Sequence, residues 1–433
     1  MISFGILTLG CKVNSYESVA VINDLVANGM IHKEFTDICD VYIVNTCTVT
    51  KTSDQKSRQM LHAARRRNKD AIIVAMGCYS QLNENVLASV ADIVLGTNNK
   101  LSVYEHIKSY LETKKQILAV TNVLDNPKYE EMKIDNFVMH TRAFIKIQDG
   151  CENYCSYCAI PYSRGKVRSR NPLNIIEEIN NLVKNGTKEV ILAGINTGCY
   201  GQDLGNINLA SLIELIMKET NLYRLRLSSI ELITISDELL NILKKYESRI
   251  AMHFHIPLQG GSDSVLERMK RKYKTYDYLE VITKIRKLFP TALITTDILA
   301  GFVGETEVEF NECIEFIKKI NFYDMHVFPY SKRENSVAYS MLGHLDKKVI
   351  TERAKIISQT AKIMKQVYHE SYIGKIVSVL VENKKDNLWK GHTSNYLEIG
   401  FESNKENLAN KIMNIQIISC YQDFLLGKEV EHE

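Results

Sequence analysis

Three cysteines within eight positions, Cys151, Cys155 and Cys158, stand in C-x3-C-x2-C spacing inside AFIKIQDGCENYCSYCAIPYSRGKVRSR, residues 143 to 170. Thiolates at such intervals on one short loop can hold three irons of a 4Fe-4S cluster, and no fourth cysteine lies nearby to hold the last iron. An open iron suits a small chelating ligand. S-adenosylmethionine (SAM) offers an amino and a carboxylate group and is one of the cofactors that carry radical chemistry. Two alternatives stay open on spacing alone: a zinc site, since cysteines two to four residues apart also serve zinc, and a redox dithiol. Zinc needs a fourth ligand, and the nearest histidine, His140, lies upstream across the strand that precedes the loop.

A second set of thiols is spread over the first 110 residues. Three apolar, β-rich runs, at 4–9, 41–44 and 71–75, are followed by Cys11, Cys47 and Cys78. Helical stretches at 15–27 and 53–67 lie between them, the alternation of a parallel sheet with crossover helices. Parallel strands would bring all three thiols out at one sheet edge, which is where open α/β sheets bind ligands. A lone cysteine there is more often a small buried hydrophobe; three in one structural position point to a site.

The elements that must position the first loop come next. Residues 143–148 alternate apolar and polar and read as a strand, so the cysteines leave its carboxyl end. Further strands are expected at 189–193, 224–228, 252–256, 293–299 and 325–328, separated by helical segments. Six parallel strands make a partial (β/α)6 TIM-like barrel rather than a closed one. Polar or glycine-rich residues follow the strand ends, and from these Gly194, Glu231, Gly261 and Ser262 are the candidates for contact with SAM; Ser262 and Asp263 would equally serve as helix caps. Residues 112–142, with an Asn126-Pro127 turn, read as the connection from the first domain. After a helix at 347–371, strands at 376–382, 396–401 and 413–419 suggest a small antiparallel β-barrel of the oligonucleotide-binding kind. The fold class is α/β, with domains at 1–112, 137–367 and 370–433.

Composition sets the outer limits. The chain has 433 residues, enough for two or three cored domains, and 45% hydrophobic content with no apolar run long enough to span a bilayer. Residues 2–9 lack a preceding basic stretch and read as a first strand rather than a signal peptide, so a cytoplasmic protein without membrane association is expected. Ten cysteines in such a chain point to metal or redox use rather than disulfides. A net charge of +3 announces no nucleic-acid binder, and local patches must carry any such role. Arg164, Lys166, Arg168 and Arg170, beside the cysteine loop, are the candidates for RNA phosphate contact; Arg65, Arg66, Arg67 and Lys69, and the basic run at 268–274, are weaker ones. From Tyr372 onward the chain has seven lysines, no arginine and nine acidic residues, so RNA binding there would rest on stacking by Trp389, His392 or Tyr396.

The cysteine loop, with Tyr157 just before its last cysteine, resembles the signature of the radical SAM superfamily. TLGCKVNSYES (8–18), VNTCTVT (44–50), GCYSQ (77–81), RLRLSSIE (224–231), HFHIPLQGGSD (253–263), DILAGFVGET (297–306) and MHVFPYS (325–331) resemble its methylthiotransferase branch, in wording closest to the MtaB type. The last segment, opening VSVLVE, resembles the TRAM domain. By that resemblance Cys151, Cys155 and Cys158 hold the SAM-binding 4Fe-4S cluster, and Cys11, Cys47 and Cys78 hold an auxiliary 4Fe-4S cluster. It implies a transferase that adds a methylthio group to C2 of N6-threonylcarbamoyladenosine at position 37 of tRNA. One SAM is cleaved to a 5′-deoxyadenosyl radical and a second methylates the inserted sulfur. A low-potential, flavodoxin-like electron donor and a sulfur donor are implied as partners. No general acid or base is expected, since an unactivated aromatic C–H bond offers no practical acid–base route. The family pattern has serine at Gly260, proline at Leu232 and Val303, and glycine-threonine at Asn335-Ser336. The same chemistry on isopentenyladenosine in tRNA, or on an aspartate of a ribosomal protein, is the near rival. A non-catalytic iron-sulfur electron carrier or RNA-binding protein is the distant one.

Overall fold

The computed structural model describes residues 1–125, 128–134 and 141–430; the expected domain start at residue 137, the Asn126-Pro127 turn and His140 lie outside the described residues. The first domain is a six-stranded, all-parallel sheet in the order β2-β1-β3-β4-β5-β6. Its strands are β1 Ser3–Thr8, β2 Ile31–Lys33, β3 Val41–Thr46, β4 Ile72–Gly77, β5 Ile93–Leu95 and β6 Ile117–Ala119. β3 and β4 are buried along their whole length, as a parallel sheet covered on both faces requires. Helix Lys12–Ala27 packs Val21 and Leu25 against one face, and helix Lys51–Arg67 packs Leu61 and Ala64 against the other. The three strands absent from the sequence reading, β2, β5 and β6, have three residues each, too few for a period-two pattern to register.

Helix Lys51–Arg67 starts at Thr50, whose hydroxyl accepts the Ser53 amide (3.1 Å), and ends in Arg65, Arg66 and Arg67. Arg65 pairs with Asp92 at 2.6 Å, and Arg67 lies over the Phe35 and Tyr42 rings. Both are therefore held by their own domain, while Arg66 and Lys69 are exposed.

The central domain carries β7 Arg142–Lys146, then a short antiparallel pair in the cysteine loop, β8 Gln148–Asp149 and β9 Arg168–Ser169. β10 Glu189–Ala193, β11 Arg224–Leu227, β12 His253–His255, β13 Leu293–Ala300 and β14 Asp324–Pro329 follow. They form two parallel three-stranded sheets, β7-β10-β11 and β12-β13-β14, joined by bridges at Leu225↔Ile250 and Ser229↔His255 into one curved six-stranded partial barrel. Ala143, Ile145, Val190, Leu192, Leu225, Leu227, Phe254, Ile294 and Ile298 share the outer core with helices such as Pro172–Lys184 and Leu209–Glu219.

Period-two alternation then turns Arg142, Lys146, Glu189, Arg226, His253, His255, Asp297 and His326 inward. A closed eight-stranded barrel fills this space with branched aliphatic side chains. Here the interior is lined by charge and imidazole, so it is built as a cavity.

Helix Lys347–Glu370 leads to a closed five-stranded barrel, β15 Ile376–Lys385, β16 Leu388–Thr393, β17 Glu398–Glu402, β18 Ile412–Tyr421 and β19 Phe424–Glu429, in the order β15-β16-β17-β19-β18. It is antiparallel except at the β17–β19 seam, and its core includes Val379, Val381, Trp389, Ile399, Phe401 and Leu425. Trp389 is thus a core residue rather than a stacking platform. The barrel docks on the amino-terminal mouth of the central one: Arg142 Nε meets Glu382 at 3.1 Å, and Arg226 donates to the Thr393 carbonyl at 3.3 Å. Among the described residues no helix is long and apolar enough to cross a membrane.

Glu189 sits at that mouth, paired with Arg224 and, at 2.7 Å, with Arg226. Burial would raise its carboxyl, yet the two guanidiniums hold it down to about 2 against an ordinary 4.5. A depressed carboxylate contributes stability that is complete above the unfolded value and lost as pH falls through the folded one. Denaturation of the wild type from pH 7 to 2 is therefore expected to show a decline, on the order of 3 kcal/mol, below pH 4.5 that Glu189→Gln lacks. Parallel acid slopes for the two proteins would refute the pairing.

Candidate metal centres and the barrel cavity

The loop after β7 is anchored before its first cysteine and after its last. Gln148 caps the strand end by donating to the Asp149 and Gly150 carbonyls, and the Cys151 amide bonds the Gly165 carbonyl at 3.0 Å. Ser156 is tied across the barrel to Met269 and Ala338, which holds the Cys155–Cys158 turn. Polar hydrogens reach the sulfurs: Arg271 Nη1 lies 3.3 Å from Cys155 Sγ, and the Ile160 amide 3.4 Å from Cys158 Sγ. Burial pushes the Cys158 thiol up to about 12, and Cys151 also shifts up for that reason. Thiols so shifted are protonated and poorly nucleophilic at neutral pH, and a metal must displace their protons.

Glu231, an expected SAM contact, accepts from Arg271 at 2.5 Å and so stands beside this loop. Gly194 is there too; a Cβ on it would lie 3.0 Å from Gln148 Oε1. Sequence reasoning passed over the side chains that fit a polar ligand best. Asn196 Oδ1, next to Cys151, and Ser228 Oγ, at the end of β11, are buried without a hydrogen-bond partner, open valences for a small polar molecule held over the loop. Gly261 and Ser262 are not brought to the loop. Gly261 packs against Cys313 and the Ser262 hydroxyl donates to Glu312 at 2.6 Å, both on helix Glu307–Ile320, so these two expected contacts are corrected to packing roles.

The second thiol set meets at the carboxyl edge of three adjacent strands, with Cys11 after β1, Cys47 after β3 and Cys78 after β4. Gly10, at φ +101°, allows the closure: a Cβ there would meet Cys47 Sγ at 2.6 Å. Cys47 and Cys78 are buried and Cys11 is exposed. Burial pushes Cys47 up to about 11, and Cys78 raises it further. Among the described residues neither cysteine trio gathers its sulfurs within 4.8 Å of one another. Sulfurs around one zinc at Zn–S 2.3 Å would stand only about 3.8 Å apart. The donor sets therefore suit the wider face of a multi-iron cluster better than a single ion. Cys39 and Cys313 are buried elsewhere in the fold, Cys199 is buried near Cys151 and Glu231, and Cys420 is half-buried.

Between the two trios lies a buried ion network. Glu17, from helix Lys12–Ala27, pairs with Lys100, with Lys146 (2.7 Å) and with Arg164 (2.6 Å), while Asp149 pairs with Lys146 (2.6 Å) and Arg164 (3.1 Å). Burial would raise both carboxyls, but the surrounding cations hold them well below the usual range. Arg164 also donates to Cys78 Sγ at 3.1 Å and to Asn14 at 2.6 Å, so it links the loop of one trio to a sulfur of the other.

This overturns the RNA expectation for three residues. Arg164, Arg168 and Arg170 are at most 2% exposed. Arg168 contacts Asp149 and Asn98, and Arg170 pairs with Glu178 and with Glu131 (2.5 Å). Lys166 alone of that run is exposed. The four-residue basic stripe reads as phosphate-binding in sequence because burial is invisible there; its three arginines are spent on Glu17, Glu131, Asp149 and Glu178.

Below the trios, His255, Asp297 and His326 place three ligand atoms within 4.8 Å on the cavity wall. They are spent on one another: Asp297 meets His255 Nε2 at 3.3 Å and His326 Nδ1 at 3.2 Å, and the carboxylate raises the His326 imidazole. At the floor, Tyr396 from the C-terminal barrel stacks on His253 and on His392, each with ring centroids 4.8 Å apart. His392 and Tyr396 therefore face inward rather than forming an open platform for bases. The signal for this lining was present in the strands, as polar residues at every second position of RLR, HFH and MHV.

Residues 145–317 match a family model described as the Radical SAM superfamily, and residues 3–96 match one described as Uncharacterized protein family UPF0004. The chain is 38% identical to Threonylcarbamoyladenosine tRNA methylthiotransferase MtaB of Bacillus subtilis (strain 168), over 98% of this chain and 95% of that protein. It is 37% identical to the protein of that name from Thermotoga maritima, over 97% of each. Against tRNA-2-methylthio-N(6)-dimethylallyladenosine synthase of Lachnoclostridium phytofermentans it is 31% identical, over 99% of this chain and 96% of that one. Among solved structures the radical S-adenosylmethionine methyltransferase TsrM from Kitasatospora setae shares the fold, with a TM-score of 0.56 at 13% identity over 76% of this chain and 74% of that one.

Proposed function

The chain belongs to the radical SAM methylthiotransferase family, MtaB type, whose members are tRNA-modifying sulfur-group transferases, and from that premise we propose that it converts N6-threonylcarbamoyladenosine in tRNA to its 2-methylthio derivative. Membership brings SAM and a 4Fe-4S cluster with it. We assign that cluster to Cys151, Cys155 and Cys158, SAM contacts to Gly194, Asn196, Ser228 and Glu231, and a second 4Fe-4S cluster to Cys11, Cys47 and Cys78. The observation that carries the reading is the pairing of the two cysteine trios across one polar cavity, linked by Arg164. When bound, the cluster and SAM supply the one-electron chemistry that an unactivated C–H bond demands.

The protein's own groups have distinct tasks in this account. Arg271 sets a positive charge beside Cys155 and orients Glu231. Gln148 and Asn196 fix the strand ends over which the ligand lies. The Arg164–Glu17–Lys146–Asp149 network keeps the first domain seated on the barrel, so that the two trios face one space. An external low-potential electron donor, a sulfur donor and a cytoplasmic setting complete the reading.

The direct test uses anaerobically reconstituted enzyme, SAM, dithionite and two anticodon stem-loops, one bearing threonylcarbamoyladenosine and one bearing isopentenyladenosine. A methylthio increment on the first substrate alone is expected; turnover of the second alone would move the chain to the isopentenyladenosine branch. The cluster assignment makes a further prediction, of about eight irons per reconstituted chain, four per cubane. The triple variant Cys11→Ala, Cys47→Ala, Cys78→Ala is expected to keep half of that iron together with reductive SAM cleavage. Loss of cleavage along with the iron would contradict separate roles for the two trios.

A further inference from the structure

Among the described residues, the cavity between the trios and the C-terminal barrel holds more cation than its acids use. Glu189 is taken by Arg224 and Arg226, Glu382 by Arg142 and His392, Asp297 by His255 and His326, and Asp324 by Lys365. Lys12 shares the cavity with Arg226, Arg142 and Asp297, and makes no ion pair among the described residues. After these pairings two guanidinium nitrogens, Arg142 Nη1 and Arg226 Nη1, and one imidazole nitrogen, His253 Nδ1, are buried without a hydrogen-bond partner among the described residues. Arg226 is 1% exposed and His253 8%, so both are held away from bulk solvent. A buried guanidinium with an idle nitrogen is costly to maintain without a ligand. Tyr396 adds a second sign of a built site. Its backbone sits at φ +77°, a conformation that non-glycine residues avoid unless their surroundings impose it. Its ring lies against His253, with the Arg226 guanidinium carbon 4.8 Å and that of Arg142 5.4 Å from the ring centre.

We propose that Arg142, Arg226 and His253 at the barrel floor, with Lys12 above them, form a carboxylate subsite that takes the threonyl carboxylate of the modified adenosine. Planar guanidinium donors match a carboxylate in geometry, and a charge-assisted pair inside a water-poor cavity is stronger than one at the surface. The inference rests on the threonylcarbamoyladenosine reading, since isopentenyladenosine carries no anion to fill the site. The ring's C2 and its N6 substituent leave from different carbons, so an adenine with C2 toward the cysteine trios extends its threonyl group elsewhere into the same cavity. Lys12 directly follows Cys11 and stands near enough to Arg226, Arg142 and Asp297 to feel their charges.

Binding to the reconstituted holoenzyme separates the outcomes, measured with three fluorescent anticodon stem-loops: threonylcarbamoyladenosine as the free acid, its methyl ester, and unmodified adenosine. The wild type is expected to bind the acid about 10- to 100-fold tighter than the ester. Lys12→Gln and Arg226→Gln are expected to erase most of that difference, and Lys12→Arg to keep it; Lys12 is exposed, so its variants test the idea even where Arg226→Gln unfolds. Equal binding of acid and ester, both tighter than unmodified adenosine, would overturn the carboxylate subsite and leave the substrate reading standing. Equal weakening of all three RNAs by Lys12→Gln would reassign the site to a backbone phosphate. No preference by the wild type for the modified base would overturn the substrate reading itself.

Discussion

Cys155→Ala abolishes reductive cleavage of SAM in the expected experiment, a loss of at least about 1,000-fold, equivalent to ~4 kcal/mol of barrier. The expectation follows from the donor set. The loop offers three sulfurs, with no fourth cysteine in its own sequence, and Arg271 directs its charge at the one being removed. Alanine leaves that guanidinium without its sulfur and the loop with two ligands. Cys420→Ala, in the C-terminal barrel, serves as the control and is expected to keep full cleavage. Anaerobic reconstitution, with 5′-deoxyadenosine and methionine as the measured products, decides the matter. Cleavage by Cys155→Ala within tenfold of wild type would remove the loop from the chemistry.

The second large effect is on stability. Arg164→Met is expected to cost about 3–5 kcal/mol in chemical denaturation, the range for breaking a buried charge network by deleting one partner. Methionine approximates the stem of arginine but leaves Glu17 with Lys100 and Lys146 and Asp149 with Lys146 and Arg168, and it removes the donor to Asn14 and to Cys78 Sγ. Because Arg164 joins two domains, the first domain is expected to gain amide exchange before the barrel core does. A change below about 0.5 kcal/mol, the size of an ordinary surface substitution, would show that the network is not stabilising.

Much of the site was legible in sequence because its chemistry is carried by cysteine, a residue whose spacing speaks for itself. The loop at 151–158 and the three strand-terminal thiols stand where the alternation of strands and helices placed them. Arginine behaves differently. Arg164, Arg168 and Arg170 have the spacing of a phosphate-binding stripe, and their partners Glu17, Asn98, Glu131, Asp149 and Glu178 come mostly from far along the chain, so no local pattern reports the pairing. Ser262 shows the same limit at a smaller scale, since a strand-end serine faces either a ligand or the next helix, and Glu312 decides it. The inward residues of the barrel were visible in principle. Polar side chains alternate with apolar ones in strands that a closed parallel barrel would make apolar on both faces, and that departure marks a cavity. The C-terminal barrel closes through β16 and β19, the two of its five strands that were not expected from the sequence.

The measurement closest to the central claim is mass spectrometry of nucleosides from total tRNA of a deletion strain and its complemented parent. The account predicts that 2-methylthio-N6-threonylcarbamoyladenosine disappears on deletion, that its precursor N6-threonylcarbamoyladenosine accumulates, and that both changes reverse with the gene but not with its Cys155→Ala form. Persistence of the methylthio nucleoside at parental level in the deletion strain would contradict it.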